Sequence, residues 1–365
     1  MSTILLISPE PWDGHFVSKH HYARELARRG HNVLFYGPPD ATGPMRLVAV
    51  ADQPGSLRVL HAPIVAPGLR FLPRSLRRTL EARWLRQVEQ IVGHPIEVVW
   101  SFENSRFFDM GFAGGRLKIY QQVDLNQDFH PARAAATADL AIANDAPIEQ
   151  RLAPVARHLI RITHGYAGHD MIDSVPDELE PDFACAPVNA VLIGNLDIAY
   201  LDVPLLTQLV ADHLGTRFHF VGNYTRGQGL HGAVGQAHNT RFWGRQSAHA
   251  LPAFLSCADV LLLTYLAGQH LDQLANPHKM MEYLAAGRCV LATRTLEYDD
   301  RPDLIETACD SVDYTRRFAA IVANPSAWNR PEQIVRRQDF ARDNTYSRQV
   351  DRIAQAIGSR GRLVS

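Results

Sequence analysis

NPHKMMEYLAAGRCVLAT, residues 276–293, carries the reading of the fold. Asn276 is a good helix N-cap and Pro277 suits the first helical position, so the spacing predicts a helix over 277–286. Gly287 then serves as C-cap, and 288–293 is an apolar, branched run that reads as a buried strand. The run just upstream, DVLLLT at 259–264, has the same character. Strand, helix, glycine, strand is a βαβ unit and implies a parallel sheet. The helix N-terminus should then sit at the carboxyl end of strand 259–264, where free N–H groups and the helix dipole favour an anion. Lys279 adds a cation in the first turn, with Asn276, Pro277 and His278 forming the approach to it. Glu282 places a carboxylate one turn deeper on the same face. This set suits a sugar nucleotide, with the diphosphate on the helix end and Lys279, and the ribose hydroxyls on Glu282. The competing reading is an ordinary capped helix with a surface Lys279–Glu282 ion pair.

Outward from this unit the same alternation repeats. Upstream, 190–193 is a strand ending in Gly194-Asn195, 203–214 a helix stopped by Gly215, 217–221 a strand ending in Gly222, 240–243 a strand ending in Gly244, and 248–256 a helix. Weaker helical patterns follow at 312–323, 331–342 and 345–357. The N-terminal half begins with a strand at 3–8, a helix at 15–29 closed by Gly30, and a strand at Asn32–Tyr36, again a βαβ unit. Further strands are predicted at 58–60, 97–101, 117–123, 140–143 and 159–163. Between the two sets, SVPDELEPDFACAPV at 174–188 has no periodicity and reads as a linker. The expected class is therefore α/β, with two Rossmann-like doubly wound parallel-sheet domains facing a central cleft. The predicted domains are 1–173 and 189–330, with 331–365 crossing back to the first.

Composition narrows the function. The chain has 365 residues, 46% hydrophobic and 21% charged, with a formal net charge of -1, which argues against a dedicated nucleic-acid binder. Its four cysteines form no CxxC pair and read as reduced structural thiols of a cytoplasmic protein. The N-terminus does not read as a signal peptide, and no window approaches the ~20 apolar residues of a membrane span. GLRFLPRSLRRTLEARWLRQVEQI, 68–91, is basic and amphipathic, with six arginines between 70 and 86. It could touch the cytoplasmic face of an anionic membrane, or it could be a solvated helix face whose apolar side lies in the core.

The segment from Pro277 to Thr293 resembles the donor-binding helix and following strand of family 4-type GT-B glycosyltransferases (glycosyl transferases group 1), whose pattern runs P-x-K-x-x-E-Y-L-A-x-G-x-P-V-V-A-T. Gly194-Asn195-Leu196-Asp197, the strand 218–222, Phe242-Trp243-Gly244-Arg245 and LPAFLSCADVLLLT at 251–264 extend the resemblance over most of 190–295. It implies that Glu282 is the second glutamate of the E-x7-E signature and holds the ribose. It implies that Lys279 neutralises the diphosphate, that Gly194 and Asn195 let backbone approach the phosphates, and that Arg245 flanks the base. Two departures stand out. Leu274 replaces the first glutamate, with Asp272 nearby as a candidate sugar contact, and LDIAYLD follows Gly194-Asn195 where the family carries an Arg…Lys pair. Lys279, Arg226 or Arg245 would then have to stabilise the leaving diphosphate.

In the N-terminal half the resemblance implies that Gly14, with His15 beside it, lets donor phosphate or acceptor approach the backbone. Its His-Asp pair is Val123-Asp124 here, leaving Asp124 as the candidate catalytic carboxylate and His130 as a substitute for the histidine. His164-Gly165 stands where the family has Asn-Gly, which makes His164 a cleft candidate. His15, His20 and His21 are off the i,i+4 spacing that suits shared ligation, so no metal is expected. The expected activity is metal-independent, retaining transfer from a UDP- or GDP-sugar to a hydroxyl of a glycan, glycolipid or natural product. The rivals are a sugar-nucleotide epimerase and a degenerate, non-catalytic sugar-nucleotide or glycan-binding module. No GxGxxG follows either first strand, which disfavours a dinucleotide dehydrogenase.

Overall fold

The runs TILLI, NVLFY and VVWS are mostly apolar and buried at every position, as suits strands covered on both faces. A computed structural model describes residues 1–14, 16–40, 43–51, 53, 55–125, 129–168, 178–266, 268–269, 276–277 and 279–358. The chain divides into two compact units, Met1–Gly165 with Tyr346–Ser365, and Tyr166–Thr345.

The first unit runs β1 (Thr3–Ile7), α1 (Ser18–Arg28), β2 (Asn32–Tyr36), β3 (Arg46–Ala49), β4 (Leu57–His61), α2 (Arg74–Val92), β5 (Val98–Ser101), β6 (Leu117–Gln122), α3 (Pro131–Thr137), β7 (Leu140–Ala143), α4 (Ala146–Leu152) and β8 (Leu159–Arg161). Its eight strands are ordered β3-β4-β2-β1-β5-β6-β7-β8, parallel except for β3, which pairs antiparallel to β4. The half-exposed sequence RLVA gives no alternation, and so β3 was not legible in advance. Helix α1 begins at Ser18, later than the predicted start, because the Val17 N–H donates to Nδ1 of His20 (3.2 Å) and fixes the first turn there.

The second unit runs α5 (Glu180–Phe183), β9 (Val188–Ile193), α6 (Val203–Asp212), β10 (Thr216–Val221), α7 (Gly229–Val234), β11 (Thr240–Gly244), α8 (Leu251–Ser256), β12 (Val260–Leu263), α9 (Met280–Ala286), β13 (Cys289–Thr293), β14 (Glu306–Ala308), α10 (Ser311–Ala323), α11 (Pro325–Trp328) and α12 (Pro331–Asp343). The six strands are all parallel, in the order β11-β10-β9-β12-β13-β14. Alternate residues of β12 and β13 feed two cores. Leu261, Leu263, Val290 and Ala292 pack on one face, and Val260, Leu262, Cys289 and Leu291 on the other. The predicted linker contains the short helix α5 and the start of β9. Its first part, 174–177, lies outside the described residues.

Two expectations about helices are corrected. Asn276 is not the N-cap of α9. Pro277 to Met280 closes in a tighter turn, Met280 N–H to Pro277 O (3.0 Å), and the helix proper starts at Met280 with Lys279 in the capping position. The stretch 331–365 is divided between the two units, with the boundary after Thr345. Helix α12 packs on α9 because the buried Arg337 donates to the carbonyls of Leu304 (3.0 Å), Gly287 (3.1 Å) and Trp328 (3.1 Å). From Tyr346 the last helix, α13 (Tyr346–Ile357), joins the first unit. There Arg29 binds Asp351 (2.7 Å), and Gln349 donates to Thr163 O (2.9 Å).

β9 and β12 pair only at Ala190–Val260 and Val191–Leu261, then diverge. The Tyr283 hydroxyl fills the gap, accepting from the Ile193 N–H (2.9 Å) and donating to Leu262 O (3.2 Å). Tyr283→Phe leaves both backbone groups unpaired in a buried place, a cost of about 1–3 kcal/mol. The expected result is a fall in the thermal midpoint of about 2–4 °C per kcal/mol for a domain of this size. An unchanged midpoint would remove the hydroxyl from its bridging role.

Candidate functional site

In an open parallel sheet, ligands lie at the carboxyl ends of strands where the order reverses. In the second unit that point is the divergence of β9 from β12. Gly194 follows β9, Gly222 follows β10, and Gly244 ends β11. These ends are laced together: Gly194 N–H donates to Val221 O (2.9 Å), and Gly222 N–H to Gly244 O (2.8 Å). Gly194 (φ +148°) and Gly222 (φ +142°) hold conformations that other residues rarely adopt. A Cβ on Gly222 would collide with the Gly194 carbonyl, and one on Gly194 with the Lys279 ammonium. Backbone and cation are thus brought as close as glycine allows.

Lys279 Nζ donates to the Ile193 carbonyl (2.5 Å) and lies 5.8 Å from the Tyr265 ring centroid. Burial pushes its pKa down to about 8, against the pull of Glu282. Burial also raises Glu282 to about 7, opposed by its own backbone N–H and by Lys279. Glu282 is half-buried as a residue, but its Oε2 is shut away and has no hydrogen-bond partner among the described residues. A buried carboxylate oxygen left open beside a lysine can accept from a ligand hydroxyl at little further desolvation cost.

Lys279, Glu282 and Gly194 are therefore brought together. Asn276 and Pro277 lead into this corner and are buried. Asn195 is exposed, and its Oδ1 accepts the Asp197 N–H (3.1 Å) in an Asx turn. Arg226 and Arg245 are exposed on the loops after β10 and β11. His278, Asp272 and Leu274 lie outside the described residues. Sequence reasoning missed Tyr265 and Tyr283. Tyr283 was visible in the EYLA run, but its role depends on how far two strands splay. It also missed His219, buried between Phe183 (3.9 Å between centroids) and Trp243. His219 Nδ1 accepts from Trp243 Nε1 (3.2 Å), so its Nε2 carries the proton toward Asn189 Oδ1 (3.0 Å). Burial drives its pKa down to about 3, which makes it a neutral structural ring on β10.

In the first unit, Asp124 is half-buried just past β6, its backbone carbonyl bonded by Gln122 Nε2 (3.2 Å). His130 is exposed ahead of α3, its ring 4.1 Å from that of Phe108. Gly14 is exposed at the end of a turn closed on Pro11 O (3.4 Å). His164 is buried, its Nε2 3.0 Å from the Asn144 amide nitrogen. His15 lies outside the described residues. His20 uses both ring nitrogens on backbone, Val17 N–H and Pro11 O (3.0 Å), and His21 stacks on Tyr346. Among the described residues no group of three or more His, Cys, Asp or Glu could hold a metal ion. No described helix is long and apolar enough to cross a membrane. Within 68–91, Arg74 and Arg78 bond Asp109 (2.6 and 2.8 Å) and Arg77 lies 3.6 Å from it, so half of the supposed basic face is directed at one buried carboxylate.

The sequence matches no protein-family profile and no curated protein. Solved structures do resemble it. Sucrose-phosphate synthase from Thermosynechococcus elongatus superposes with a TM-score of 0.70 at 15% identity, covering 98% of this chain and 99% of that one. HepE from Anabaena, solved with UDP and glucose, gives 0.66 at 12% identity over 96% and 99%. WaaG, a glycosyltransferase involved in lipopolysaccharide biosynthesis, gives 0.61 at 15% identity over 98% and 100%. At such identities the likeness shows the fold, and that fold is GT-B.

Proposed function

We propose that this GT-B protein is a hexosyltransferase that moves a sugar from a UDP- or GDP-sugar to an acceptor hydroxyl, with retention and without a bound metal. The observation that carries the reading is the open Glu282 oxygen beside Lys279 at the glycine-lined ends of β9 and β10. Glu282, ionised once the donor is bound, would accept from the ribose hydroxyls. Lys279 would turn from the Ile193 carbonyl to the diphosphate oxygens, aided by the backbone at Gly194 and by Arg226 or Arg245. In the reaction the C1–O bond to the diphosphate breaks, the acceptor oxygen bonds C1, and the acceptor proton leaves with the diphosphate or to solvent. Catalysis then rests on holding the reactants and on stabilising the departing charge. On this reading Asp124 and His130 of the first unit handle the acceptor hydroxyl. HepE, with the same fold, has been solved with UDP and glucose, which supports the donor class.

The lysine makes donor affinity pH-dependent. Lys279 is cationic below about 8. The diphosphate selects that form and the ribose selects ionised Glu282, raised to about 7, so affinity is highest between about pH 7 and 8; above 8 it falls by up to about tenfold per unit, until the bound-state pKa is passed. Calorimetric titration with UDP between about pH 7 and 10 should show this fall, and Lys279→Met should abolish it. A flat profile in the wild type would separate Lys279 from the phosphates.

The function itself is tested by incubation with a panel of UDP- and GDP-hexoses, following nucleoside diphosphate release and the sugar by NMR. Release of the diphosphate, with the anomer retained in the product, is the expected result. Conversion of the sugar with no release would make the protein an epimerase. Binding without turnover in the presence of candidate acceptors would make it a non-catalytic module.

A further inference from the structure

The first unit contains a cavity of about 550 Å³, within the ordinary size range of small-ligand sites and lined by none of the second-unit residues described above. It opens at the carboxyl ends of several strands. Tyr36 ends β2, Ile64 follows β4, Phe107 and Phe108 follow β5, and Phe129 and His130 follow β6. Its floor comes from α2 through Arg77 and Glu81. Three large apolar side chains line it yet remain exposed, Ile64 (53%), Phe71 (77%) and Phe129 (67%). Side chains of that kind grouped around one opening mark a binding surface more than a stable solvent face.

The floor has opposite chemistry. Asp109, fully buried, already receives Arg74 (2.6 Å), Arg78 (2.8 Å), Arg133 (3.4 Å) and the Gly111 N–H (3.1 Å). Burial raises its pKa, but the bonds from Arg78, Gly111 and Arg74 outweigh burial and hold it ionised, below the usual carboxylate range. Arg77 is left over. It is 3% exposed, 3.6 Å from Asp109 and 4.0 Å from Glu81, and stacked 4.1 Å over the Phe108 ring. Among the described residues its Nε and Nη2 make no hydrogen bond, and neither oxygen of the buried Glu81 does. Burial lifts Glu81 to about 8, against the opposing charge of Arg77, so at neutral pH it is mostly an uncharged acid. Among the described residues, four guanidinium groups then share one ionised carboxylate. A buried guanidinium with open donors costs stability unless an anion answers it.

We propose that this cavity binds the acceptor, and that the acceptor is an apolar-bodied molecule with a carboxylate or phosphate head: the head bonds Arg77 and the body lies between Phe107, Phe108 and the exposed Phe71 and Phe129. The assignment of an acceptor rests on the transferase reading above; the binding of such an anion does not. Glu81, as a neutral acid, donates to the head's second oxygen. An apolar body covers the exposed aromatic rings and so contributes the larger share of the contact area.

The test is calorimetric titration of the full chain with 4-phenylbutyrate, 4-phenylbutyl phosphate and the neutral 4-phenylbutanol, beside the nucleotide-sugar panel. The account predicts that at least one anion binds about tenfold or more tightly than the alcohol, a gap of about 1.4 kcal/mol. Which anion is preferred tells a carboxylate acceptor from a phosphate one. Arg77→Met should erase the preference. Phe71→Ala, at an exposed side chain that the fold does not need, should weaken anion and alcohol alike. Should Arg77→Met fail to fold, the anion-to-alcohol ratio and Phe71→Ala still decide. Equal binding of alcohol and anions, a preference that survives in folded Arg77→Met, no effect of Phe71→Ala, or no anion binding at millimolar concentration would each overturn the proposal. Anion binding without any nucleotide-sugar binding would leave the cavity standing and remove the transferase reading instead.

Discussion

Lys279→Ala is expected to lower sugar transfer by about 10²–10³-fold, or about 3–4 kcal/mol of transition-state stabilisation. The reason is position. Nζ is held at the end of β9 by the Ile193 carbonyl, beside Gly194, in a corner where burial already depresses its pKa to about 8. A partly desolvated cation placed before the reaction acts on developing phosphate charge more strongly than one in water. On the transferase reading, the departure from the Arg…Lys pattern after Gly194-Asn195 would leave this lysine with more of the task. The measurement is kcat with saturating donor, with the thermal midpoint taken alongside, because the variant also frees the Ile193 carbonyl. A loss below tenfold in a well-folded variant would move the leaving-group role to Arg226 or Arg245.

Gly222→Ala should be the most damaging single change to the second unit. The φ of +142° costs a non-glycine residue about 1–3 kcal/mol, and the new Cβ would occupy the place of the Gly194 carbonyl oxygen. Backbone cannot step aside as a flexible side chain can. The ends of β9 and β10 must part, which also breaks the Gly194–Val221 and Gly222–Gly244 hydrogen bonds. The expected loss is at least about 3 kcal/mol, a fall of about 6–12 °C in the midpoint, together with lost donor affinity. A variant within a degree of the wild type that still binds nucleotide would contradict the close approach of the two strand ends.

Much of this was legible in the chain because it is local. The runs VLLL and CVLAT, separated by a helix and Gly287, are buried parallel strands whichever fold contains them, and Lys279 and Glu282 share a helical face by spacing alone. What was not legible depends on contacts distant in sequence. The start of α9 at Met280 follows from a turn that the Asn276–Pro277 capping signal did not reveal. The second-unit address of α12 is set by Arg337 reaching the carbonyls of Gly287 and Leu304, a pairing with no trace in helical periodicity. The arginines of 68–91 read as a surface face because their partner, Asp109, is more than thirty residues away. The edge strand β3 and the three-residue β14 are too short or too exposed to produce a pattern. His219 stood in an apolar strand run, and only the stacked rings of Phe183 and Trp243 explain its neutral state.

The central claim is that the glycine-lined corner with Lys279 and Glu282 holds a nucleoside-diphosphate sugar. Its most direct test is calorimetric titration of wild type and Glu282→Ala with UDP- and GDP-hexoses. The account predicts that at least one donor binds the wild type and that the variant, equally stable without ligand, loses about tenfold or more in affinity, the worth of a buried charge-assisted hydrogen bond to ribose. Binding of no donor to the wild type, or equal affinity in the variant, would contradict it.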